Sequence, residues 1–350
     1  MVMGVFIAAM LVGLIYYVWG VGGGVLFRER MQDAADASAF SAAVVHARGM
    51  NILVLLNITM AAFAAIEAGL STAADGLDYA SWIVTIACAL GSLSACKDVP
   101  HYSVSSRVAS WVDRIGSFVI SRQMNTLQGV TTAIRIGTPL AGQALVLEYS
   151  RSEPYHPTTN LGVMFPILPQ LAAEPDSSNH PCDERVYWPA MAVAGLASSI
   201  ANGFEFDKWY FAGMGIAWAI DHKSNSREFC PGYFQRVPPD SHLGEEPFQI
   251  RTVMYGESPF TFTRRGVAVA TWDREQANPT EYDALRAATF MSFAQAEYYY
   301  DNPNDDPHED YLWHARWRAR LRRFRAPEDL THCVIPDCSL IHELRNAVVH

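Results

Sequence analysis

The sequence predicts an α+β protein in which a long N-terminal hydrophobic helix and a helical hairpin or bundle precede a mixed α+β head. Three observations carry this prediction: an uncharged apolar run over residues 1–27, two more apolar runs before residue 96, and a change to Pro-, Ser- and Asn-rich sequence after residue 149. The 350 residues suffice for about two domains. We expect a stalk helix at 1–48, a helical region at 49–148 and an α+β head at 149–350.

The first helix is predicted to run from near the N-terminus to about Arg48. Its uncharged part, residues 1–27, is long enough to cross a bilayer, which takes about twenty apolar residues. Charge begins at Arg28, and an Ala-rich amphipathic stretch follows. Such a helix suits either a membrane anchor or the core of a helical filament.

A glycine cluster lies near the end of the apolar run. It comprises Gly20, Gly22, Gly23 and Gly24. Each glycine costs about 1 kcal/mol relative to alanine in a helix interior. We therefore expect the helix to bend or unwind there.

Two more apolar helices are predicted after Gly49, which permits a turn. They cover residues 50–70 and 79–95 and are separated by a short polar linker. These helices could span a membrane, or they could form a hairpin buried against neighbouring subunits. Asn57 begins a glycosylation sequon, but it lies inside an apolar helix, so we do not expect a glycan on it.

An amphipathic helix is predicted from His101 to about Ile136, because apolar residues recur there at three- and four-residue steps. The recurring residues are Val104, Val108, Trp111, Ile115 and Val119. This helix could lie back along the first one. Pro139 is expected to end it or to mark its link to the next segment of the chain.

The head is predicted to begin with a long surface loop over residues 150–185. Strand candidates follow at 208–211, 249–255, 259–263 and 267–271, and the Gly-Glu-Ser turn at 256–258 predicts a hairpin. Asn278 and Pro279 are typical of a helix start. We expect that helix to reach Tyr300 and a short basic helix to cover residues 311–325.

The six cysteines form three pairs that are close in sequence. They are Cys88 with Cys96, Cys182 with Cys230, and Cys333 with Cys338. An even count with short spacings is typical of an oxidising compartment. Disulfides are favoured for the two later pairs, with buried free thiols as the alternative.

Charge limits the choice of partners. The formal net charge of −10 argues against general nucleic-acid binding. The basic stretch within residues 311–325 could nevertheless dock on an acidic neighbour, a polyanion or lipid head groups. We favour the other interpretation, in which Trp313 and Trp317 enter the core and the arginines pair with acids within or between subunits. The stretch contains Arg316, Arg318, Arg320, Arg322, Arg323 and Arg325, with Leu321 on its apolar side.

No motif of a known catalytic site is present, so we expect no catalytic or cofactor-binding residues and no enzyme. The sequence lacks a G-x-S-x-G elbow, an H-E-x-x-H pair and a phosphate-binding loop after a strand. The scattered histidines, including His342, are expected to be structural. The alternative is a membrane-anchored extracytoplasmic enzyme, ligand-binding protein or assembly protein with its site in residues 186–340. Asp207, Asp221 and His222 would be its candidate residues.

An acidic loop offers oxygen ligands of the kind that calcium prefers. Its candidates are Asp301, Asn304, Asp305, Asp306, Glu309 and Asp310. The spacing and the glycine of an EF-hand are missing, so a solvated loop with helix-capping acids is favoured and no metal is expected.

The step out of the apolar run carries a family resemblance. The residues Gln32, Asp33, Ala34, Ala35, Asp36 and Ala37 follow the apolar stalk and a charged step. This pattern resembles the N-terminal module of the TadE/TadG-like, pilin-related proteins of tight-adherence (Flp-type) pilus systems. Residues 294–323 also look like the C-terminal end of larger relatives of this group.

The resemblance implies a prepilin-like precursor that a dedicated peptidase cleaves. It further implies insertion into the inner membrane, contact with the pilus assembly machinery, and incorporation with copies of itself into a helical filament at the cell surface. There are two alternatives. The chain could serve at the base or tip of that filament, or it could be an assembly or adhesion factor that stays in the membrane. The residues expected to matter for assembly are Met1, Val5, Gly20, Gly22, Gly23, Gly24, Arg28 and Arg30.

Two features depart from the expected pattern. Major pilins of this kind usually carry a glutamate near the fifth mature residue, where this chain has Val5. The chain is also much larger than the short Flp pilins, which suits a minor or decorated subunit.

The charges around the apolar run bear on the topology. Arg28 and Arg30 follow the run, and no basic residue precedes it, unlike in a secretory signal. The positive-inside tendency would then leave the rest of the chain in the cytoplasm. The even number of cysteines instead indicates an oxidising compartment. Removal of a short basic leader before Met1 would reconcile the two; otherwise the cysteines are reduced and the protein is a cytoplasmic membrane-anchored one.

Overall fold

The computed structural model describes residues 2–151, 159, 161–165, 171–176, 185–201, 213, 216–219, 221, 234–238, 248–257, 261–262, 268–269, 289–302 and 311–323. Its helices are α1 (Val2–Ala89), α2 (Leu93–Arg151) and α3 (Tyr187–Ala201). Its strands are β1 (Leu161–Phe165), β2 (Glu174–Pro175), β3 (Gln235–Arg236), β4 (Gln249–Glu257), β5 (Thr261–Phe262), β6 (Ala268–Val269), β7 (Thr289–Tyr300) and β8 (Trp317–Arg322). A long N-terminal apolar helix, a further long helix and antiparallel strands together make an α+β arrangement.

Helix α1 is a single helix of 88 residues, about 130 Å long at about 1.5 Å per residue. It passes without a break through residues 20–24, Gly49 and the polar linker. The predicted bend or unwinding at the glycines is therefore wrong, as is the division into three apolar helices. The glycine cost of about 1 kcal/mol per residue is local, and helix propagation from the long segments on both sides outweighs it.

Gly49 serves a close helix contact rather than a turn. A Cβ at Gly49 would lie 2.6 Å from Cγ2 of Thr138 in α2. The chain instead reverses at Gly91, whose φ of 93° lies in the left-handed region that glycine adopts at low cost.

Helix α2 returns antiparallel along α1. Gly116 faces Leu70 and Thr138 faces Gly49, so each step forward along α2 matches a step back along α1. The helix continues through Pro139 to Arg151, so the prediction that Pro139 ends it is wrong. Pro139 is buried, and packing in the body offsets the hydrogen bond that a proline removes.

The amphipathic helix predicted from His101 is present, but its apolar residues point away from α1. Val104, Val108, Trp111, Ile115 and Val119 are between 46% and 65% exposed. The buried positions of the same stretch include small residues such as Ser105 and Ser106. Small residues allow the two helix backbones to approach closely, as in helix pairs packed within membranes.

The main sheet has four antiparallel strands in the order β1-β4-β7-β8. Side chains alternate between the faces of a strand, and one face packs on α1. That face carries Ile250, Met254, Ala294, Ala296, Tyr298 and Tyr300, which share a core with the Ala34–Val54 part of α1. Two two-stranded sheets, β2–β3 and β5–β6, accompany it.

The predictions for the head are confirmed in part. The strand predicted at 249–255 is β4, and the candidates at 259–263 and 267–271 contain β5 and β6, which pair with each other. The hairpin predicted at 256–258 is wrong, because Gly256 and Glu257 continue β4. The stretch predicted as a loop at 150–185 contains β1, and the candidate at 208–211 lies outside the described residues.

Within the described residues, parts of two predicted helices are strands. Residues 289–300 form β7, and residues 317–322 form β8 rather than a basic helix. In β8 the sequence Trp-Arg-Ala-Arg-Leu-Arg alternates apolar and basic residues, a period of two that is typical of a strand. The helix propensity of these residues favoured a helix, but their packing on α1 as part of the sheet makes them strands.

Candidate assembly surface

The N-terminal part of α1 is exposed and uncharged. We call residues 3–26 the stalk. Every described side chain from Met3 to Trp19 is exposed, and the first buried residue is Phe27. By length and composition, α1 and α2 could both cross a membrane. None of the residues in the most apolar 18-residue segment of α1 is buried, and 22% of those in the corresponding segment of α2 are buried. The stalk is therefore not a core helix of the described body.

The stalk has the dimensions of a membrane span. Its 24 residues extend about 36 Å at about 1.5 Å per residue, against a hydrocarbon core of about 30 Å. Burying one large apolar side chain contributes about 1.5–3 kcal/mol. A surface of this length therefore has a strong tendency to be covered by lipid tails or by other protein.

The stalk joins the body within one helical turn. Arg28, Glu29 and Arg30 are exposed, whereas Ala34 and Ala35 are completely buried. The side-chain amide of Gln32 donates to the Phe293 carbonyl of β7, 3.1 Å away. The segment from Gln32 to Ala37 is thus the point at which α1 meets the sheet.

Polar contacts at the junction fix the position of the sheet on α1. The Ser38 hydroxyl donates to the Ala35 carbonyl and lies 3.3 Å from the Thr252 hydroxyl. Thr252 in turn donates to the Ala35 carbonyl, 3.1 Å away. Partial burial raises the pKa of the Asp36 carboxyl, although a hydrogen bond from Gln32 acts in the opposite direction.

Two asparagines of α1 hold the edges of the head. The Asn51 side chain donates to the Trp317 carbonyl and accepts from the Trp317 amide, each at 3.1 Å. The Asn57 side chain accepts from the Gln235 amide and donates to the carbonyls of Gln235 and Leu312. Asn57 is completely buried, so a glycan on its sequon is incompatible with this structure.

A histidine is buried between α1 and the sheet. His46 stacks on Tyr298, and its Nδ1 lies 2.8 Å from the Ala42 carbonyl. Its Nε2 has no hydrogen-bond partner. Burial lowers the pKa of His46 to about 4, and burial also raises the pKa of Tyr298. The sequence predicted structural histidines in general but did not single out this one.

The basic stretch pairs with acids of the same chain. Arg318 pairs with Asp301 at 2.9 Å, and Arg320 and Arg322 both pair with the buried carboxylate of Glu297. Trp313 and Trp317 are buried, whereas Leu321 is 49% exposed. The predicted intramolecular pairing is confirmed for these three arginines, on a strand instead of a helix. Arg325 lies outside the described residues.

The other predicted residues are only partly described. Among the calcium candidates, Asp301 forms an ion pair with Arg318. Residues 304–310 lie outside the described residues, as do Asp207, His222 and His342. Within the described part of the chain, no three His, Cys, Asp or Glu side chains are grouped for a metal ion. Met1 is not described, and Val5 is exposed like the rest of the stalk.

The disulfide forms in the pair that the sequence favoured least. Cys88 and Cys96 are joined across the reversal at Gly91, with their Cα atoms 4.6 Å apart. The other four cysteines, Cys182, Cys230, Cys333 and Cys338, lie outside the described residues. The bridge closes the end of the α1–α2 hairpin, far from the stalk.

A second exposed apolar surface lies on α2. We call it the α2 stripe; its members are Val104, Val108, Trp111, Ile115, Phe118 and Val119, which are between 46% and 70% exposed. The described molecule therefore exposes apolar surface at the stalk, on the α2 stripe and on other helix faces, such as that of Trp188, Leu196 and Ile200 in α3. A comparison of the chain with protein families, curated proteins and solved structures found no match.

Proposed function

We propose that this chain is a structural subunit of a cell-surface filament of the tight-adherence (Flp-type) pilus kind. Its stalk lies in the inner membrane before assembly and in the filament core afterwards, and its head stands outside. One observation carries the proposal: an exposed, uncharged stalk continues without a break into the helix on which the sheet is packed.

The continuity of α1 supports a mechanical role. A lipid anchor alone needs only a span and a linker, whereas α1 continues for more than sixty residues beyond Phe27. The sheet, α2 and α3 all pack on that part of α1. Covering the stalk in a filament therefore fixes the direction of the whole body, as a structural subunit requires.

The disulfide supports an extracytoplasmic body. Bridges such as Cys88–Cys96 persist in oxidising compartments. Arg28 and Arg30 favour the opposite orientation by the positive-inside tendency. In the proposal the bridge has the greater weight, and Arg28 and Arg30 are the only two basic residues within fifteen residues of the end of the stalk.

A charged residue in the stalk tests the proposal. Leu14→Glu places a carboxylate on a surface that the filament would bury, and Thr132→Glu is the matched control on an exposed polar position of α2. We expect incorporation into sheared, purified appendages to fall strongly for Leu14→Glu and to stay near wild type for Thr132→Glu. Equal incorporation of both variants, or a chain that stays monomeric in detergent and is never found in appendages, would contradict it.

A further inference from the structure

We propose that the α2 stripe receives the stalk of a second copy of this chain, so that copies join head to tail. The inference rests on the proposed function, since it names the contact through which subunits of the filament would meet. It is drawn from the stalk and the α2 stripe, which are both exposed and apolar, and from their positions on one molecule.

The α2 stripe has the geometry of a helix-docking surface. Val104, Val108, Trp111, Ile115 and Phe118 follow one another at steps of four, three, four and three residues. This spacing produces a straight seam on a helix that meets another helix. Trp111 is 65% exposed and Phe118 is 70% exposed, although large apolar side chains are usually buried.

The exposed area is large enough for a specific contact. Six large apolar side chains at these exposures offer on the order of several hundred Å² of apolar surface, which approaches the ~800 Å² per partner of a standard interface. Patches of this size on a folded chain usually mark a binding surface. The inward residues of the same stretch already pack on α1, so turning the helix would not cover the stripe.

The bilayer that holds the stalk cannot cover the stripe. Gly116 lies against Leu70 of α1, and Leu70 follows Phe27 by 43 residues. The stripe therefore lies about 60 Å along α1 from the end of the stalk, whereas the hydrocarbon core is about 30 Å thick. That bilayer therefore does not reach the stripe, and we infer that protein covers it.

The stalk of a second copy fits the stripe better than a second stripe does. Arg107 and Arg114 flank the seam and are exposed, so two antiparallel stripes would bring arginines together. The stalk carries no charge. A Cβ at Gly4, Gly13 or Gly22 would contact nothing in the chain, so the stalk surface is open at these positions.

The contact has a consequence for assembly. The stalk and the stripe are different surfaces of one chain, so their contact is heterologous and extends into an open filament. The centre of the stripe lies about sixty residues along α1 from the centre of the stalk. Two copies in contact are thus displaced by about 90 Å along the helix direction.

Site-specific photo-crosslinking in assembled appendages tests the contact. The probe is p-benzoyl-phenylalanine in place of Trp111, and the same probe in place of Thr132 is the control on α2. We expect the probe at 111 to join peptides from residues 3–26 of another copy, and the probe at 132 not to do so. Adducts between two α2 helices, adducts with lipid, or no adduct in appendages that contain the chain would overturn the inference and leave the proposed function standing.

A variant pair gives an independent readout. The double change Trp111→Glu and Phe118→Glu alters exposed side chains only, so thermal unfolding should stay close to that of Thr132→Glu. Incorporation into appendages should fall by about tenfold or more, since the two aromatic residues would be the anchors of the contact. Normal incorporation of the folded double variant would overturn the inference. A wild-type chain absent from all appendages would refute the proposed function and this inference together.

Discussion

His46 of α1 stacks on Tyr298 of β7, with ring centroids 5.4 Å apart and an angle of 29° between the planes. The contact lies where the returning helix α2 also approaches, because a Cβ at Gly142 would be 3.0 Å from His46 Cε1. A neutral imidazole is therefore enclosed between the two helices and the sheet.

Acid should weaken this junction. The pKa of His46 is lowered by burial to about 4 from a usual value of 6.5, so the unfolded chain binds the proton more tightly. The contribution of the buried, neutral His46 to the free energy of unfolding is therefore fully present above pH 6.5 and is lost as the pH falls toward 4. We expect a loss on the order of 2–3 kcal/mol in the free energy of unfolding, measured by chemical denaturation of the full chain in detergent.

The matched variants for this prediction are His46→Gln and His314→Gln. His46→Gln should remove the loss of stability between pH 6.5 and 4, and His314→Gln should keep it. An unchanged slope in His46→Gln would show that another group titrates.

Asn57 should act through its hydrogen bonds and not through its sequon. Asn57→Ala leaves the Gln235 amide and two carbonyls without a partner, and one such buried group costs about 1–3 kcal/mol. We expect a loss of about 3 kcal/mol or more in chemical denaturation.

Thr59→Ala is the control for Asn57, because it destroys the same sequon but loses only a local bond to the Leu55 carbonyl. It should cost less than about 1 kcal/mol. Equal destabilisation by both changes would mean that the sequon, rather than the Asn57 contacts, matters.

Glu297 of β7 should be the acid that contributes most to holding the basic strand β8. It is 1% exposed and pairs with both Arg320 and Arg322. Removing its carboxylate in Glu297→Ala leaves Arg320 and Arg322 without this partner, and because these arginines are 48% and 44% exposed, we expect a cost of about 1.5–3 kcal/mol. Arg318→Gln breaks the exposed pair with Asp301 and should cost less than about 1 kcal/mol. Similar unfolding midpoints for the two variants would contradict this assignment.

The Cys88–Cys96 bridge should stabilise the hairpin end only. The joined cysteines are eight residues apart, and closing a loop of this size contributes about 2.5 kcal/mol in the chain-entropy account. In the double variant Cys88→Ser and Cys96→Ser, we expect faster amide exchange over residues 80–102 and unchanged exchange near His46. Faster exchange in both regions would show that the bridge supports the whole body.

The sequence predicted what depends on local composition. The apolar run at residues 1–27 identified the stalk, and the spacing from Val104 to Val119 identified a helix. The face that this helix buries was not predictable, because its exposed apolar residues follow the same periodicity that a buried face would show. Periodicity reports that a helix has two faces but does not report which partner covers each.

Non-local packing explains the remaining errors. The length of α1 depends on propagation across Gly20–Gly24 and Gly49, where Thr138 of α2 occupies the space beside Gly49. β7 and β8 contain good helix formers, and their pairing on α1 overrides that propensity. The partners of Asn57 lie 178 and 255 residues away in the sequence, so no local pattern could identify them.

The amount of this chain in sheared, purified wild-type appendages tests the proposed filament role most directly. We expect the chain to be present at a constant ratio to appendage length, with its N-terminal stalk peptides recovered in the same fraction. A chain that stays wholly in the membrane fraction, with appendages that form normally and do not contain it, would contradict that role.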